Sequence, residues 1–281
     1  MFYNIGFIKI YIIYMGFAAK KKFGQHFLKN ISVVKKIVKA LELEPDEVVF
    51  EIGPGKGVLT AELLKTKARV VAVEKDRDLI PILQERFGDN KNFELINSDI
   101  LDFDPRPLII SYQSLSFKVC GNLPFYISGM ILELILERWC EKPRLAVFML
   151  QKEVCQKLLA KSGKMTILGV INQLLADFKL LFYVPKESFS PKPKVDAGVL
   201  KIVPKKTDIF YKNLGLKEFI KAGFSHPRKF LLNNLSQKTS FDKEKINRAF
   251  LKLKISEKLR PEDLEKEIWS KLHGFLVEKH L

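Results

Sequence analysis

Cysteine is scarce in this chain of 281 residues: Cys120, Cys140 and Cys155 are its three, odd in number and never spaced CxxC. That excludes a disulfide framework and a cysteine-built zinc site, and it suits a reducing cytoplasm where the three act as small buried hydrophobes. Long uninterrupted apolar runs are missing too. The most apolar stretch, at the start, is broken by Asn4, Gly6 and Lys9, so no membrane span is expected. Lys20, Lys21 and Lys22 follow that stretch, whereas a signal peptide carries its positive charge ahead of the apolar part. Residues 1–19 are therefore read as an N-terminal extension, with Met15 the expected start and an interfacial anchor the alternative. Repeats and low-complexity tracts are absent. Acidic residues are in deficit, 32 against 48 basic, for a net charge of +16. A surplus of that size favours a nucleic-acid partner. With 47% hydrophobic residues the chain has ample material for a core, so disorder is excluded as the default, and its length fits one large domain and one small.

What is present from about residue 30 is alternation. SVVKKIVKALEL (32–43) has apolar residues at helical spacing, with Ser32 placed to cap it. Strand-like runs follow at 48–53, 69–76, 92–100, 116–122 and 144–151, with helical patterns at 57–68, 78–89 and 128–141. Pro81 falls in the first turn of its helix, where a missing N–H costs nothing. Nearly continuous apolar strands alternating with helices imply parallel strands buried on both faces, a doubly wound α/β sheet. Residues 178–185 and 195–204 are strand-like with little between them, as for a hairpin at the sheet edge. Beyond Pro204 the patterns are helical, so a domain over 20–204 and an all-α domain over 205–281 are expected.

Chemistry gathers at the strand ends. EIGPGKGVL (51–59) places Gly53, Gly55 and Gly57 between a strand and a helix, where backbone can approach a ligand closely. Glu74 ends the second strand, 21 residues after Gly53, as expected of a carboxylate accepting from ribose hydroxyls. Asp99 ends the third strand and Asn122 the fourth, so four features share one edge of the sheet. Each alone is ordinary turn chemistry; four in register argue for a ligand crevice. The spacing GxGxG is one residue short of the dinucleotide fingerprint GxGxxG. A nucleoside without phosphates, held at its ribose by Glu74 and at its adenine amine by Asp99, fits better. That ligand is S-adenosylmethionine.

The motifs KKFGQHFLKN (21–30), EIGPGKGVLT (51–60), VEKD (73–76), NSDIL (97–101), GNLPFYIS (121–128), MLQKEV (149–154) and FSPKPKVDAGVL (189–200) occur in the order of a known family. Through them the chain resembles the ribosomal RNA adenine dimethyltransferases, which methylate two adjacent adenosines near the 3′ end of small-subunit RNA. The resemblance implies a Rossmann-like class I methyltransferase sheet with a C-terminal helical domain that helps dock RNA. It implies cofactor contacts from His26, Leu28, Gly53, Gly55, Glu74, Asp99 and Asn122. It also implies an immature 30S subunit as partner, and action as a cytoplasmic monomer. Enzymes that methylate large-subunit RNA and give macrolide resistance share the first domain, although they more often resemble NIPY where this chain has NLPF. The family's basic Gln-Arg-Arg-Lys stands here as His226-Pro227-Arg228-Lys229, leaving Arg228 and Lys229 for phosphate.

An exocyclic adenine amine is a poor nucleophile because its lone pair is delocalised into the ring. Acceptors for its protons, the Asn122 side-chain oxygen and the Leu123 carbonyl, would help localise that pair, with Pro124 stiffening the backbone between. The base must leave its stack and be gripped by aromatic faces, Phe125 on one side and Phe189 on the other; Tyr126 is read as packing. Lys20–Lys22, Lys192, Lys194, Arg228 and Lys229 are the basic groups chosen for the RNA backbone. Two readings compete with this one: a non-catalytic ribosome-assembly factor, and a DNA adenine methyltransferase, whose motif more often reads [DN]PP[YF].

Overall fold

The computed structural model describes residues 25–113, 116–206 and 209–277. The expected extension and Lys20, Lys21 and Lys22 lie outside the described residues. The chain opens on a two-residue strand, β1 (Phe27–Leu28), followed by helix α1 (Ile31–Leu41). The N-cap of α1 is Asn30, not Ser32: its side chain accepts from the amides of Ser32 and Val33 at 3.1 and 3.3 Å. Val33, Val34, Ile37 and Leu41 form the buried stripe, and Glu42, at φ 51°, ends the helix in a left-handed turn. The Glu42 carbonyl accepts from Lys118, which is buried and paired with Glu47 at 2.8 Å.

Next come β2 (Val48–Ile52), α2 (Val58–Leu64), β3 (Arg69–Glu74), α3 (Ile80–Phe87) and β4 (Phe93–Asn97). The chain then returns through α4 (Arg106–Ser111) to β5 (Phe117–Asn122), α5 (Ser128–Glu133) and β6 (Leu145–Gln151). The expected long helix over 128–141 widens after α5 into a π-type turn at Leu134–Arg138 and stops at Trp139. Helices α6 (Lys152–Leu158) and α7 (Ile167–Leu175) lead into β7 (Ala176–Val184), β8 (Phe189–Ser190) and β9 (Ala197–Pro204). The remaining helices are α8 (Ile209–Lys212), α9 (Leu216–Gly223), α10 (Leu231–Lys238), α11 (Lys243–Lys252) and α12 (Lys266–Val277).

One seven-stranded sheet runs β4-β3-β2-β5-β6-β9-β7, and β1 pairs antiparallel with β8 in a separate two-stranded piece. From β2 the chain works outward to β4, then returns to the other side of β2 to lay down β5. The pairs β2–β3, β3–β4, β2–β5 and β5–β6 are parallel, as the apolar runs imply. The order reverses between β2 and β5, and in such sheets the crevice beyond the strand ends at that point holds ligands. Of the two strands expected at the edge, β9 is the inner one and β7 the outer.

Packing divides the chain into two compact units, one of residues 25–131, 143–151 and 182–199, the other of 132–142, 152–181 and 200–277. In the second unit the helices after residue 204 pack with mid-chain segments. Lys217 of α9 pairs with Glu137 at 2.8 Å and Glu133 at 3.1 Å, and the amides of Gly163 and Met165 donate to the Glu262 carbonyl. Trp269 is fully buried there, stacked on Phe224 with ring centroids 5.4 Å apart.

In the first unit, β2 and β5 come so close at their ends that a Cβ on Gly121 would lie 2.5 Å from the Ile52 carbonyl oxygen. That neighbour is backbone and cannot rotate away. Gly121→Ala is expected to destabilise the protein by roughly 1–3 kcal/mol through overpacking, measured as a fall in the urea midpoint. An unchanged midpoint would show that the strands can part there at no cost.

Candidate active site

The turn after β2 passes Gly53, Gly55 and Gly57 at φ of 66°, 60° and 75°, a run of left-handed backbone that side chains disfavour. The Phe27 ring packs over Gly55, where a Cβ would stand 3.0 Å from it, so β1 seats closely on the glycine turn. Glu74, at the end of β3, reaches back to the same turn: one carboxylate oxygen accepts from Gly55 N–H at 3.1 Å and the other from Asp76 N–H at 2.8 Å. Burial raises its pKa, and those two amides oppose the rise. Asp99 caps the short turn after β4 through Leu101 N–H at 3.1 Å and pairs with Lys75. Burial pulls its pKa upward, but the ammonium and the amide outweigh that and hold it below the usual carboxylate range.

Asn122 ends β5, and its side-chain nitrogen donates to the His26 carbonyl at 2.8 Å. A carbonyl only accepts, so the amide must face it with the nitrogen and turn its oxygen elsewhere. Leu123 is buried and anchored by its N–H to the Met149 carbonyl at 3.1 Å. Phe125 lies face to face with the His26 imidazole, centroids 5.8 Å apart and planes 29° apart. The segment carrying His26 is itself clasped. His26 Nδ1 meets the Pro191 carbonyl at 2.8 Å, Lys29 N–H donates to Ser188 O at 2.9 Å, and Gln25 bonds Asp76 at 2.8 Å.

These groups line one open cleft at the strand ends. His26, Leu28, Gly53, Gly55, Glu74 and Asp99 line it, and so does the run Asn122–Leu123–Pro124–Phe125. Phe189 does not: pairing of β8 with β1 turns its ring into the core, where it is 2% exposed. Tyr126, read from the sequence as packing, is 56% exposed and lines the cleft, because the turn after Pro124 points it outward. Lys192 is engaged by Glu187 at 2.6 Å, Lys194 is exposed, and Arg228 and Lys229 belong to the second unit. No group of three or more His, Cys, Asp or Glu side chains suited to a metal occurs among the described residues.

Glu51 was not picked out from the sequence, since a single carboxylate inside VVFEI reads as strand. Fully buried beneath the glycine turn, it accepts from Thr60 Oγ1 at 2.6 Å and lines the cleft. Burial, with a smaller contribution from the Glu74 charge, pushes its pKa up to about 8, so it holds a proton at neutral pH.

The strand order, the reversal at β2 and β5 and the carboxylates lining the cleft there define an S-adenosylmethionine-dependent methyltransferase of the Rossmann-like class I kind. The family model described as ribosomal RNA adenine dimethylase matches residues 16–276, and the chain belongs to that family. Among similar proteins, ribosomal RNA small subunit methyltransferase A of Dehalococcoides mccartyi is 40% identical over 256 residues, spanning 90% of this chain and 87% of its own. The protein of the same description from Synechococcus elongatus is 39% identical over 260 residues, covering 89% of this chain and 92% of its own. Of solved structures, a dimethyladenosine transferase from Plasmodium falciparum superposes with a TM-score of 0.71 at 25% identity, covering 88% of this chain and 96% of that one. The 23S rRNA methyltransferase ErmE gives 0.70 at 25% identity, over 89% of this chain and 99% of its own.

The Glu51 proton has a measurable consequence. Below pH about 4.5 folded and unfolded chains both carry it; between about 4.5 and 8 only the folded chain does. Stability contributed by this group is therefore lost as pH rises through that window. Glu51→Gln, which keeps an acceptor for Thr60, is expected to flatten the dependence and to stabilise the protein most near pH 8. Denaturant midpoints from pH 5 to 8.5 check this, and parallel curves for the two proteins would mean that Glu51 is ionised in the fold.

Proposed function

We propose that this protein methylates the N6 amines of two adjacent adenosines near the 3′ end of 16S rRNA, giving N6,N6-dimethyladenosine during small-subunit assembly. The observation that carries the proposal is the orientation of Asn122. With its nitrogen committed to the His26 carbonyl, its oxygen is left as a fixed acceptor at the cleft. A base with an exocyclic amine is what such an acceptor suits.

The residues present fit the cofactor. Two oxygens give Glu74 about four acceptor sites, of which backbone amides fill two, leaving others for ribose hydroxyls. Asp99 is held ionised and so stands as an acceptor for an adenine amine. S-adenosylmethionine, when bound, supplies a methyl group activated by its sulfonium. Asn122 Oδ1 and the Leu123 carbonyl accept the two amine protons of the target base and direct its lone pair at that methyl. Pro124, with φ fixed by its ring, keeps the carbonyl from swinging. No strong base is required, and positioning supplies most of the rate.

Phe125 offers the extruded base its free face, the other being taken by His26. Tyr126, exposed at the mouth, is the better second ring than the buried Phe189, which supports Leu28 from beneath instead. Stacking of this kind is worth roughly 1–3 kcal/mol per base. Arg228, Lys229 and Lys194 are assigned to RNA phosphates. The relatives at 39–40% identity are described as small-subunit enzymes, while the likeness to a large-subunit enzyme is at 25%, which favours the small-subunit target. No helix of the described residues is long and apolar enough to cross a membrane. We assign the protein to the cytoplasm, as a monomer acting on immature 30S subunits.

Incubation with labelled S-adenosylmethionine and immature small subunits should yield N6,N6-dimethyladenosine. A protein that binds the cofactor yet yields none would overturn the proposal. Asn122→Ala is expected to lower kcat by about 100-fold, the order of loss seen when a reacting group is misplaced by about an ångström. Cofactor affinity should change far less. Turnover that survived the substitution would remove the amine-orienting role.

A further inference from the structure

Helix α1 contains no acidic residue, and its solvent face gathers Lys35, Lys36 and Lys39 with Ile31 and Ser32 around a shallow groove. All three lysines are exposed, and none has a carboxylate partner among the described residues. Four other lysines of the same unit are matched, Lys118 with Glu47, Lys65 with Glu62, Lys75 with Asp99 and Lys192 with Glu187, and those left unmatched elsewhere are not gathered three to one helix face. Positive charge left unmatched on one helix face is costly through self-repulsion and is what a polyanion would relieve.

The helix starts beside the cleft, while its C-terminal end is tied through Glu42 to Lys118 at the start of β5. α1 begins three residues after Leu28, which lines the cleft, and its N-cap region is tied to the segment that carries Lys194. Lys29 N–H donates to Ser188 O at 2.9 Å, and Asn30 Nδ2 approaches Ser188 Oγ at 3.5 Å. Farther along, the Lys36 ammonium sits over the half-buried Phe182 ring at 5.4 Å. Exposed lysines without acidic neighbours suit a nucleic-acid backbone better than a protein surface, which would demand a matching acidic patch.

Resting on the methylation of RNA proposed above, we infer that the lysine face of α1 is a docking surface for the RNA phosphate backbone, gripping the strand close to where its target base enters the cleft. Lys35 and Lys39 stand one helical turn apart, so both can follow one strand. The face adds to the basic groups of the second unit and gives the catalytic unit a hold of its own.

The test compares wild type, the triple variant K35Q/K36Q/K39Q and a control, K65Q/K67Q/K91Q. The control removes equal charge from the loops ahead of β3 and β4. Affinity for a 16S rRNA transcript is measured from low to moderate salt. Each lost phosphate contact should reduce the slope of log affinity against log salt by about 0.7, so the α1 variant should lose up to about 2 and the control nothing. Cofactor affinity and melting temperature should stay at wild-type values in both. Equal slopes for the α1 variant and the control would overturn the inference. If instead the α1 slope falls while wild type forms no dimethyladenosine, the docking surface stands and the catalytic reading fails, so the two are separable.

Discussion

The last rung of the ladder between β2 and β5 is the constraint on which the cleft depends. Ile52 pairs with Gly121, and only a residue without a Cβ lets the two backbones run side by side to the very ends of their strands. Because they do, the turn at Gly53 and the amide at Asn122 emerge a strand's width apart, about 4.8 Å. One strand delivers the glycine turn to the cleft and the other delivers Asn122, the acceptor proposed for the target amine. Their separation is fixed by the sheet and not by any flexible segment, which is the economy of placing chemistry at the point where a parallel sheet reverses its order.

Below that point the two acidic side chains divide their tasks by environment. Glu74 has backbone amides from Gly55, Lys75 and Asp76 to stabilise its charge; Glu51 has only the hydroxyl and amide of Thr60, and lies deeper. The proton therefore goes to Glu51, and the carboxylate remaining at the surface of the cleft is Glu74. Two ionised groups so close in a dry floor would repel each other strongly. Keeping one neutral lets the other face the ligand without that penalty.

Much of this was legible in the sequence, for reasons that can be named. Alternating strand and helix patterns survive because a parallel sheet needs both faces covered, and the glycines, Glu74, Asp99 and Asn122 announce themselves by falling at strand ends. Other features left no such trace. β1 and β8 are two-residue strands paired across more than 160 positions, too short for periodicity and too distant for a turn signal, yet they decide that Phe189 points inward. Asn30 displaces Ser32 as the cap of α1, and the same residue contacts Ser188, which makes its choice a matter of tertiary contact. The mid-chain segments 132–142 and 152–181 pack with the C-terminal helices, an association that no local pattern encodes. Glu51 hid in plain view, because its meaning comes from burial and not from its neighbours in the chain.

The hydrogen bond from Asn122 to the His26 carbonyl has a further consequence. That carbonyl belongs to the short segment that also closes against Gly55 and Asp76, so the acceptor proposed for the target base is aimed by the piece of chain that packs over the glycine turn. With the segment swung away, the Asn122 amide would lose its reference and rotate freely, and an amine arriving then would find no fixed oxygen. The bond thus ties the aim of the Asn122 oxygen to the seating of β1 on the glycine turn.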